Sequence, residues 1–513
     1  MLFNSLPFLL LFLPLAWGGF QLCARIGHHT AVGWLVGVSL LFYGWCNPVY
    51  LILLCGSIIF NYAAGLLIQK WVTKPARQEA VLALGVSANL ALLCYYKYLF
   101  PLLHWADQFG VHIVAPEVSV LLPVGISFFT FTQIGYLIDC KAGITVGSRF
   151  LDYALFVTFF PHLVAGPILH HREMMPQFED KRTLRFNPQN IAIGLTIFFI
   201  GLAKKDLIAD FFAGPANDGF NNAGRLGLVE AWSSALSYSV QLYYDFSGYS
   251  EMAIGLALLF NIRFPANFDS PYKSASIIDF WQRWHMTLSR YLNLYLYNPI
   301  ALWVARRRAQ SGLAVGRQGL KSTSGFISLV AFPTFFTMTL VGIWHGAGYN
   351  FIIYGLLHAV YLTINHGWRL LFHKKNAPEL TGPALWFSTA WKVILTYLAV
   401  LVSLIFFRAS SVSQALDLLA SMAGCHPQPI APEYEVYIHV GKRLVGVFLL
   451  IWMAPNVLQI FAQWNPSLSK PQATIPAWLQ WRPTPLWAVA MALVAVVAFL
   501  AVSGQTEFLY FHF

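Results

Sequence analysis

Two histidines stand in stretches otherwise apolar enough to lie in lipid. His285 belongs to "DFWQRWHMTLS", and His345 to "TLVGIWHGAGYNFIIYGLLHAVYL", which also carries His358. An imidazole titrates near pH 6.5 in water, so it is the side chain best matched to taking a proton from a hydroxyl near neutrality. Ionisable groups inside a bilayer are costly to hold, which makes each one a candidate functional residue. Around the histidines lie Asp245 and Glu251 in "VQLYYDFSGYSEMAIG", Arg283 in the R-W-H triplet, and Asn350 in "GIWHGAGYNF". None of these groups has metal-ligand spacing, so the set favours acid–base work over metal binding.

Plainer roles exist for every one of them. A lone histidine on an apolar helix is more often a hydrogen-bonded structural residue than a catalyst. For Asp245, pairing with Arg283 or capping a broken helix is as good a reading as chemistry. Trp281, Trp284 and Trp344 by themselves suit the interfacial belt of a membrane protein. Only their conjunction points to chemistry.

The elements that must position these residues are membrane helices. The 513-residue chain is 58% hydrophobic and only 10% charged, against roughly 25% charged in soluble domains. Apolar runs long enough to cross a hydrocarbon core of about 30 Å recur along it. They predict an all-α, polytopic integral membrane protein with spans near 3–22, 31–46, 48–70, 80–103, 119–139, 151–168, 190–212, 231–261, 324–343, 349–370, 386–407, 444–463 and 484–503. That is about eleven to thirteen membrane-embedded helices. The 151–168 stretch, with Pro161 and His162 inside it, is expected to be re-entrant or tilted. No polar stretch is long enough for a separate soluble domain, so residues 1–513 read as one membrane domain. The N-terminal stretch lacks the basic start and small-residue cleavage site of a signal peptide and reads as a retained first span.

The net charge of +11 sits in short loops, the pattern of cytoplasmic loops facing anionic lipid rather than of a nucleic-acid binder. The segment 305–321 holds Arg306, Arg307, Arg308, Arg317 and Lys321 with no acid, and 368–375 and 70–77 are also basic. Six cysteines (Cys23, Cys46, Cys55, Cys94, Cys140, Cys425) show no C-x-x-C spacing and read as small buried hydrophobes. No internal repeat is visible, which weighs against a transporter or flippase using the histidines as a proton relay. The segment 268–300 opens on the turn signal Asp269-Ser270-Pro271 and then reads as an amphipathic helix. Ile278, Trp281, His285, Leu288 and Leu292 share one face, and Asp279 and Arg283 form an i,i+4 pair on another.

"DFWQRWHMTLS", followed about fifty residues later by "GIWHGAGYNFIIYGLLHA", resembles the membrane-bound O-acyltransferase family, in its bacterial alginate O-acetyltransferase-like branch. The likeness extends through "LLPVGISFFTFTQIGYLID", "FFPHLVAGPI", "QLYYDFSGYSEMAIGLALL", "FPANFDSPY", "FFRASSVSQALDLLASMAG" and the terminal "FLYFHF", nearly the whole chain. It places the core near 119–370, with C-terminal helices over 386–513.

The resemblance implies a ring of tilted helices around a central channel, with acyl donor and acceptor arriving from opposite faces. It implies that His345 is the catalytic histidine and His285 a second histidine of the same channel. Asp245, Asn267, Arg283 and Trp284 fall in the family's other motifs, and Trp281, Trp344 and Asn350 flank the histidines as candidate substrate or channel residues. The implied reaction takes acetyl from cytoplasmic acetyl-CoA, across an inner membrane, for O-acetylation of an extracytoplasmic polysaccharide. No cofactor beyond that donor and no metal is expected. His345 acts as base or transient acyl carrier, and His285 or Asn350 orients it or stabilises the oxyanion. Rival acceptors are peptidoglycan and, with D-alanine, teichoic acid. The expected partners are membrane lipid and a periplasmic SGNH-type acetyltransferase whose serine takes the acetyl group onward. Asn293 and Leu294 stand where relatives usually carry Arg-Asp, and "NPIALWVARRR" replaces a Gly-rich run, so contacts built on those residues are not carried over.

Overall fold

Backbone groups in a bilayer must be satisfied within their own segment, which leaves helices as the economical solution for an apolar chain of this kind. The computed structural model describes residues 1–45, 47–108, 110, 122–145, 147–372, 381–425, 434–502, 508 and 509. Among them every regular element is helical. Cys46, the first three residues of the expected 119–139 span, Lys374 and Lys375 of the 368–375 basic run, and the last four residues of the terminal motif lie outside the described residues. Among the described residues, five helices are long and apolar enough to cross a membrane: Phe8–Ile26, Val49–Lys70, Pro75–Lys97, Thr323–His345 and Gly382–Arg408. The 151–168 stretch is broken, with helix Phe150–Thr158 ending before Phe160–Leu163.

The chain divides into two compact units. One comprises Met1–Leu207, Asp245–Ala266 and Val457–Phe513; the other comprises Ile208–Tyr244 and Asn267–Asn456. In the first unit, glycines let the helix Pro188–Ala203 meet the second half of Leu228–Leu259 backbone to backbone. A Cβ on Gly194 would lie 2.7 Å from Gly255 O, and one on Gly201 2.6 Å from Gly248 O. Small residues at matched spacing are how helices in lipid gain close packing where no hydrophobic drive separates protein from solvent. A π-helical turn, Lys204–Ala209, then carries the first unit's buried charges. Lys204 pairs with Glu251, and Lys205 Nζ lies 2.7 Å from Asp245 Oδ1 with both side chains 3% exposed. Leu509 N donates to the other Asp245 oxygen at 3.0 Å, and the Phe508 ring sits 4.8 Å from the Lys205 ammonium.

Asp245 is thus the partner of Lys205. Arg283 pairs instead with Asp279, its i−4 neighbour, at 2.8 Å. The pairing of Asp245 with Arg283 that the sequence left open gives way to two separate ion pairs.

The second unit carries the histidine motifs. Its centre is a hairpin of Phe332–His345 and Tyr349–Phe372, turned through Gly346-Ala347-Gly348. The two helices cross where Gly342 faces Gly355. A Cβ on Gly342 would meet Phe351 O at 2.3 Å, and one on Gly355 would meet Met338 O at 2.3 Å. The helix Gly382–Arg408 packs beside the hairpin, and Asn350 Nδ2 donates to Phe406 O at 3.3 Å and Ala409 O at 2.7 Å. Those carbonyls close the last turn of that helix and its exit, groups that have no partner within the helix itself.

Candidate active site

The amphipathic helix that periodicity predicts through His285 is interrupted there. Ile277–Trp281 and Met286–Leu292 are separate helices, and His285, between them, has φ +42° and ψ +53°. A left-handed residue with a side chain costs roughly 1–2 kcal/mol, and such strain gathers where function over-determines the backbone. The bonds that offset it come from one loop. Met286 N donates to Asn267 O at 2.9 Å, Asp269 N donates to Arg283 O at 3.0 Å, and Thr287 Oγ1 donates to Asn267 Oδ1 at 2.9 Å. His285 Nδ1 lies 2.8 Å from the same Asn267 oxygen. The loop 267–269 captures peptide groups that a continuous helix would have used internally, and this is why periodicity alone misleads here. Asn267 and His285 are 1% and 2% exposed.

His345 closes the helix Phe332–His345 and is walled by rings. Phe407 stands edge-on at 4.9 Å, Tyr354 at 5.8 Å, and Trp344 at 4.8 Å between centroids. Tyr354 in turn meets His358 at 4.7 Å, His358 stacks on Phe280 at 6.2 Å, and Phe280 stacks on Trp284 at 5.6 Å. An unbroken series of ring contacts therefore joins His345 to Trp284, the residue before His285.

His358, fully buried, is the structural member of this set. Trp281 Nε1 donates to its Nδ1 at 3.2 Å, and Ser403 Oγ lies 2.9 Å from its Nε2 while donating to Val400 O at 2.7 Å. An indole nitrogen only donates and that serine's hydrogen is already given away. His358 is therefore a neutral imidazole with Nε2–H donated to Ser403 and Nδ1 accepting from Trp281. Both nitrogens are used in holding three elements together.

A cleft of about 270 Å³ opens beside these residues, with Trp281, Ser289, Asn293, Thr334, Thr337 and His366 on its wall. Its sides continue the helix faces that carry the histidines: Ser289 follows His285 by one turn, Thr337 precedes His345 by about two, and His366 follows His358 by two. Ser289 Oγ and Thr337 Oγ1 are buried without a hydrogen-bond partner among the described residues. An apolar cleft with a few convergent polar atoms is the usual form of a small-molecule site, and unpaired buried hydroxyls are costly unless something bonds them.

The structure thus gathers His285, Asn267, Trp281, Arg283, Trp284, Trp344, His345 and Asn350 in the second unit, while Asp245 groups with the first. Arg283 is held by Asp279 and by Asp269 O, a brace for the broken helix. Asn350 has its amide committed to the Phe406 and Ala409 carbonyls, so the oxyanion-donor role considered for it is replaced by a helix-tethering one. Reading the motifs singly named His358 without giving it a role and overlooked Tyr354 and His366. The signal was there as a four-residue step, Asn350, Tyr354, His358, Leu362 and His366, one stripe of the Tyr349–Phe372 helix.

Comparison with known proteins identifies the family. The membrane-bound O-acyltransferase family profile matches residues 140–315, a span that contains Asn267 and His285. The chain is 40% identical over 474 residues to the peptidoglycan O-acetyltransferase of Helicobacter pylori, covering 85% of this chain and 83% of that one. It is 34% identical over 434 residues to the Pseudomonas aeruginosa protein named probable alginate O-acetylase AlgI, covering 82% and 75%. A more distant likeness, 28% over 290 residues, reaches the teichoic acid D-alanyltransferase of Bacillus subtilis, covering 55% of this chain and 67% of that one. A multi-pass helical chain, similar over four-fifths of its length to named O-acetyl-transferring proteins, belongs to the membrane-bound O-acyltransferase family and is an acyltransferase.

Proposed function

We propose that this protein transfers an acetyl group from acetyl-CoA, in the inner membrane, toward the hydroxyls of an extracytoplasmic glycan. The observation that carries the proposal is the cleft lined by Trp281, Ser289, Thr337 and His366, the last three one or two helical turns from His285, His345 and His358. There the Ser289 and Thr337 hydroxyls have no hydrogen-bond partner among the described residues. A donor arm bearing amides would satisfy Ser289 and Thr337 while presenting its thioester near the histidines. In the direct route the acceptor oxygen attacks the thioester carbonyl carbon as His345 takes the hydroxyl proton. The C–S bond then breaks, and the departing thiolate takes up a proton. In the two-step route a His345 nitrogen attacks the thioester carbonyl carbon, the C–S bond breaks and the thiolate leaves with a proton. The acceptor oxygen then attacks the acyl-imidazole, the N–C bond breaks, and the freed imidazole takes the hydroxyl proton. One imidazole base contributes typically 10²–10⁴-fold. His285 supplies the second imidazole of the site.

A glycan polymer is too large and polar to enter a lipid-buried site without desolvating many hydroxyls. The immediate acceptor is therefore the serine of a periplasmic SGNH-type acetyltransferase, which passes the group to the polymer. For the final polymer, exopolysaccharide is the first reading. The 40% identity to a protein named for peptidoglycan, against 34% to one named for alginate, supports peptidoglycan as the second. The test is reconstitution in proteoliposomes with labelled acetyl-CoA, the partner and each polymer in turn. Loss of at least about 100-fold with His345→Ala at normal protein levels is expected. Wild-type transfer by that variant refutes the role of His345, and efficient acetylation of polymer without any second protein refutes the carrier step.

A further inference from the structure

We infer that Asn267 is the positioning residue of this site, holding His285 as the Nδ1–H tautomer so that Nε2 is its proton-accepting nitrogen. The inference rests on the acyl-transfer reading above for its catalytic meaning but not for its geometry.

The geometry is decided by a backbone amide. Thr287 N lies 3.3 Å from the Asn267 side-chain atom assigned as Oδ1. A peptide N–H only donates, so the atom facing it must be the amide oxygen and not the nitrogen. That removes the usual ambiguity of an asparagine's two ends. His285 Nδ1, 2.8 Å from that same oxygen, must then carry the hydrogen. A neutral imidazole has one N–H and one lone pair, so the lone pair of His285 is on Nε2. His358 carries the opposite tautomer, because an indole N–H faces its Nδ1. Two buried histidines of one unit are thus set in opposite states by their neighbours, one spent on structure and the other with its basic nitrogen on the far side of the ring from its support.

Asn267 does a second thing. Its own carbonyl accepts from Met286 N at 2.9 Å, so both ends of the residue grip the left-handed turn at His285. Ring orientation and tautomer are therefore held by one side chain eighteen positions earlier in the chain. In hydrolases with an Asp–His pair, a partner that favours the wrong tautomer leaves geometry intact and still lowers kcat by about 10⁴. The same physics applies to any imidazole base whose second nitrogen needs an acceptor.

The experiment is ¹⁵N-histidine NMR of the full-length protein in lipid nanodiscs, with His285 assigned by the disappearance of its signals in His285→Gln. Wild type should show His285 protonated at Nδ1 and bare at Nε2, and Asn267→Asp, whose carboxylate accepts the same bonds, should keep that pattern. Asn267→Ala should give a mixed or reversed tautomer and lower kcat about 100-fold, with KM for acetyl-CoA changed less than about threefold. Asn267→Asp should recover at least a tenth of wild-type kcat. A purely structural asparagine would reduce the amount of folded protein and leave tautomer and kcat alone. Finding His285 protonated at Nε2 in wild type overturns the inference, as does wild-type kcat in Asn267→Ala. Should Asn267→Ala not accumulate, the wild-type and Asn267→Asp spectra decide the matter. Absence of acetyl-CoA turnover in wild type would count against the proposed function, while the tautomer assignment is read independently.

Discussion

Replacing Gly342 by alanine tests how closely the site depends on the hairpin that carries His345. The added Cβ would stand 2.3 Å from Phe351 O, whereas ordinary contact begins at 3.4 Å. Both partners are backbone, so no flexible side chain can give way, and the two helices must part by about 1.1 Å. His345 lies three residues beyond Gly342 on the same helix, while Tyr354 lies across the crossing. The displacement therefore falls on the His345–Tyr354 ring contact. Overpacking of this kind costs about 1–3 kcal/mol of stability, and a misplacement of about 1 Å at a reacting group costs on the order of 10² in rate. Gly355→Ala, 2.3 Å from Met338 O, should behave alike. Gly33→Ala, a helical position with nothing within 4 Å, is the control and should be neutral or slightly stabilising. The assay is labelled acetyl transfer together with thermal unfolding in detergent. Normal turnover and normal stability in Gly342→Ala would refute the reasoning, because the hairpin would then have slack that the backbone contact denies it.

Three further outcomes are expected. Lys205→Met and Asp245→Asn should each lower stability by about 3–5 kcal/mol, since each breaks a buried ion pair from one side; a double variant, Lys205→Met with Asp245→Leu, that is less stable than either single would contradict the pairing. His358→Leu strands the Trp281 indole N–H at a cost of about 1–3 kcal/mol, and should raise KM for acetyl-CoA more than it lowers kcat, because Trp281 walls the cleft; steady-state kinetics and thermal unfolding check both. The five basic residues between Arg306 and Lys321 predict a cytoplasmic loop, so a cysteine placed at Gln310 should react only with reagent admitted to the cytoplasmic side.

The helical membrane class and the acyltransferase family were legible in the sequence, and so were the residues worth testing for chemistry. Hydropathy is a local sum, so apolar runs announce membrane helices whatever their neighbours do, and the scarcity of charge makes each buried imidazole conspicuous. The W-H-G and R-W-H triplets could be read as favouring acid–base work because their polar groups lack metal-ligand spacing. The i,i+4 pair of Asp279 with Arg283 was equally legible, being fixed by helix geometry alone.

What tertiary structure decided is the set of choices made between competing partners. Asp245 had an arginine and a helix end as candidates and took Lys205, forty residues before it, because a π-helical turn brings that ammonium inward. The face running Ile278, Trp281, His285, Leu288 and Leu292 promised one helix, yet Asn267 and Asp269 outcompete the helix for its peptide groups and turn His285 left-handed. Asn350 stood as a candidate site residue and His358 had no assigned role; the carbonyls of Phe406 and Ala409 and the indole of Trp281 show that both are tethers. Periodicity reports which face a side chain occupies. Which partner it bonds there depends on segments distant in sequence, and for these buried groups those bonds fix the tautomer and the backbone.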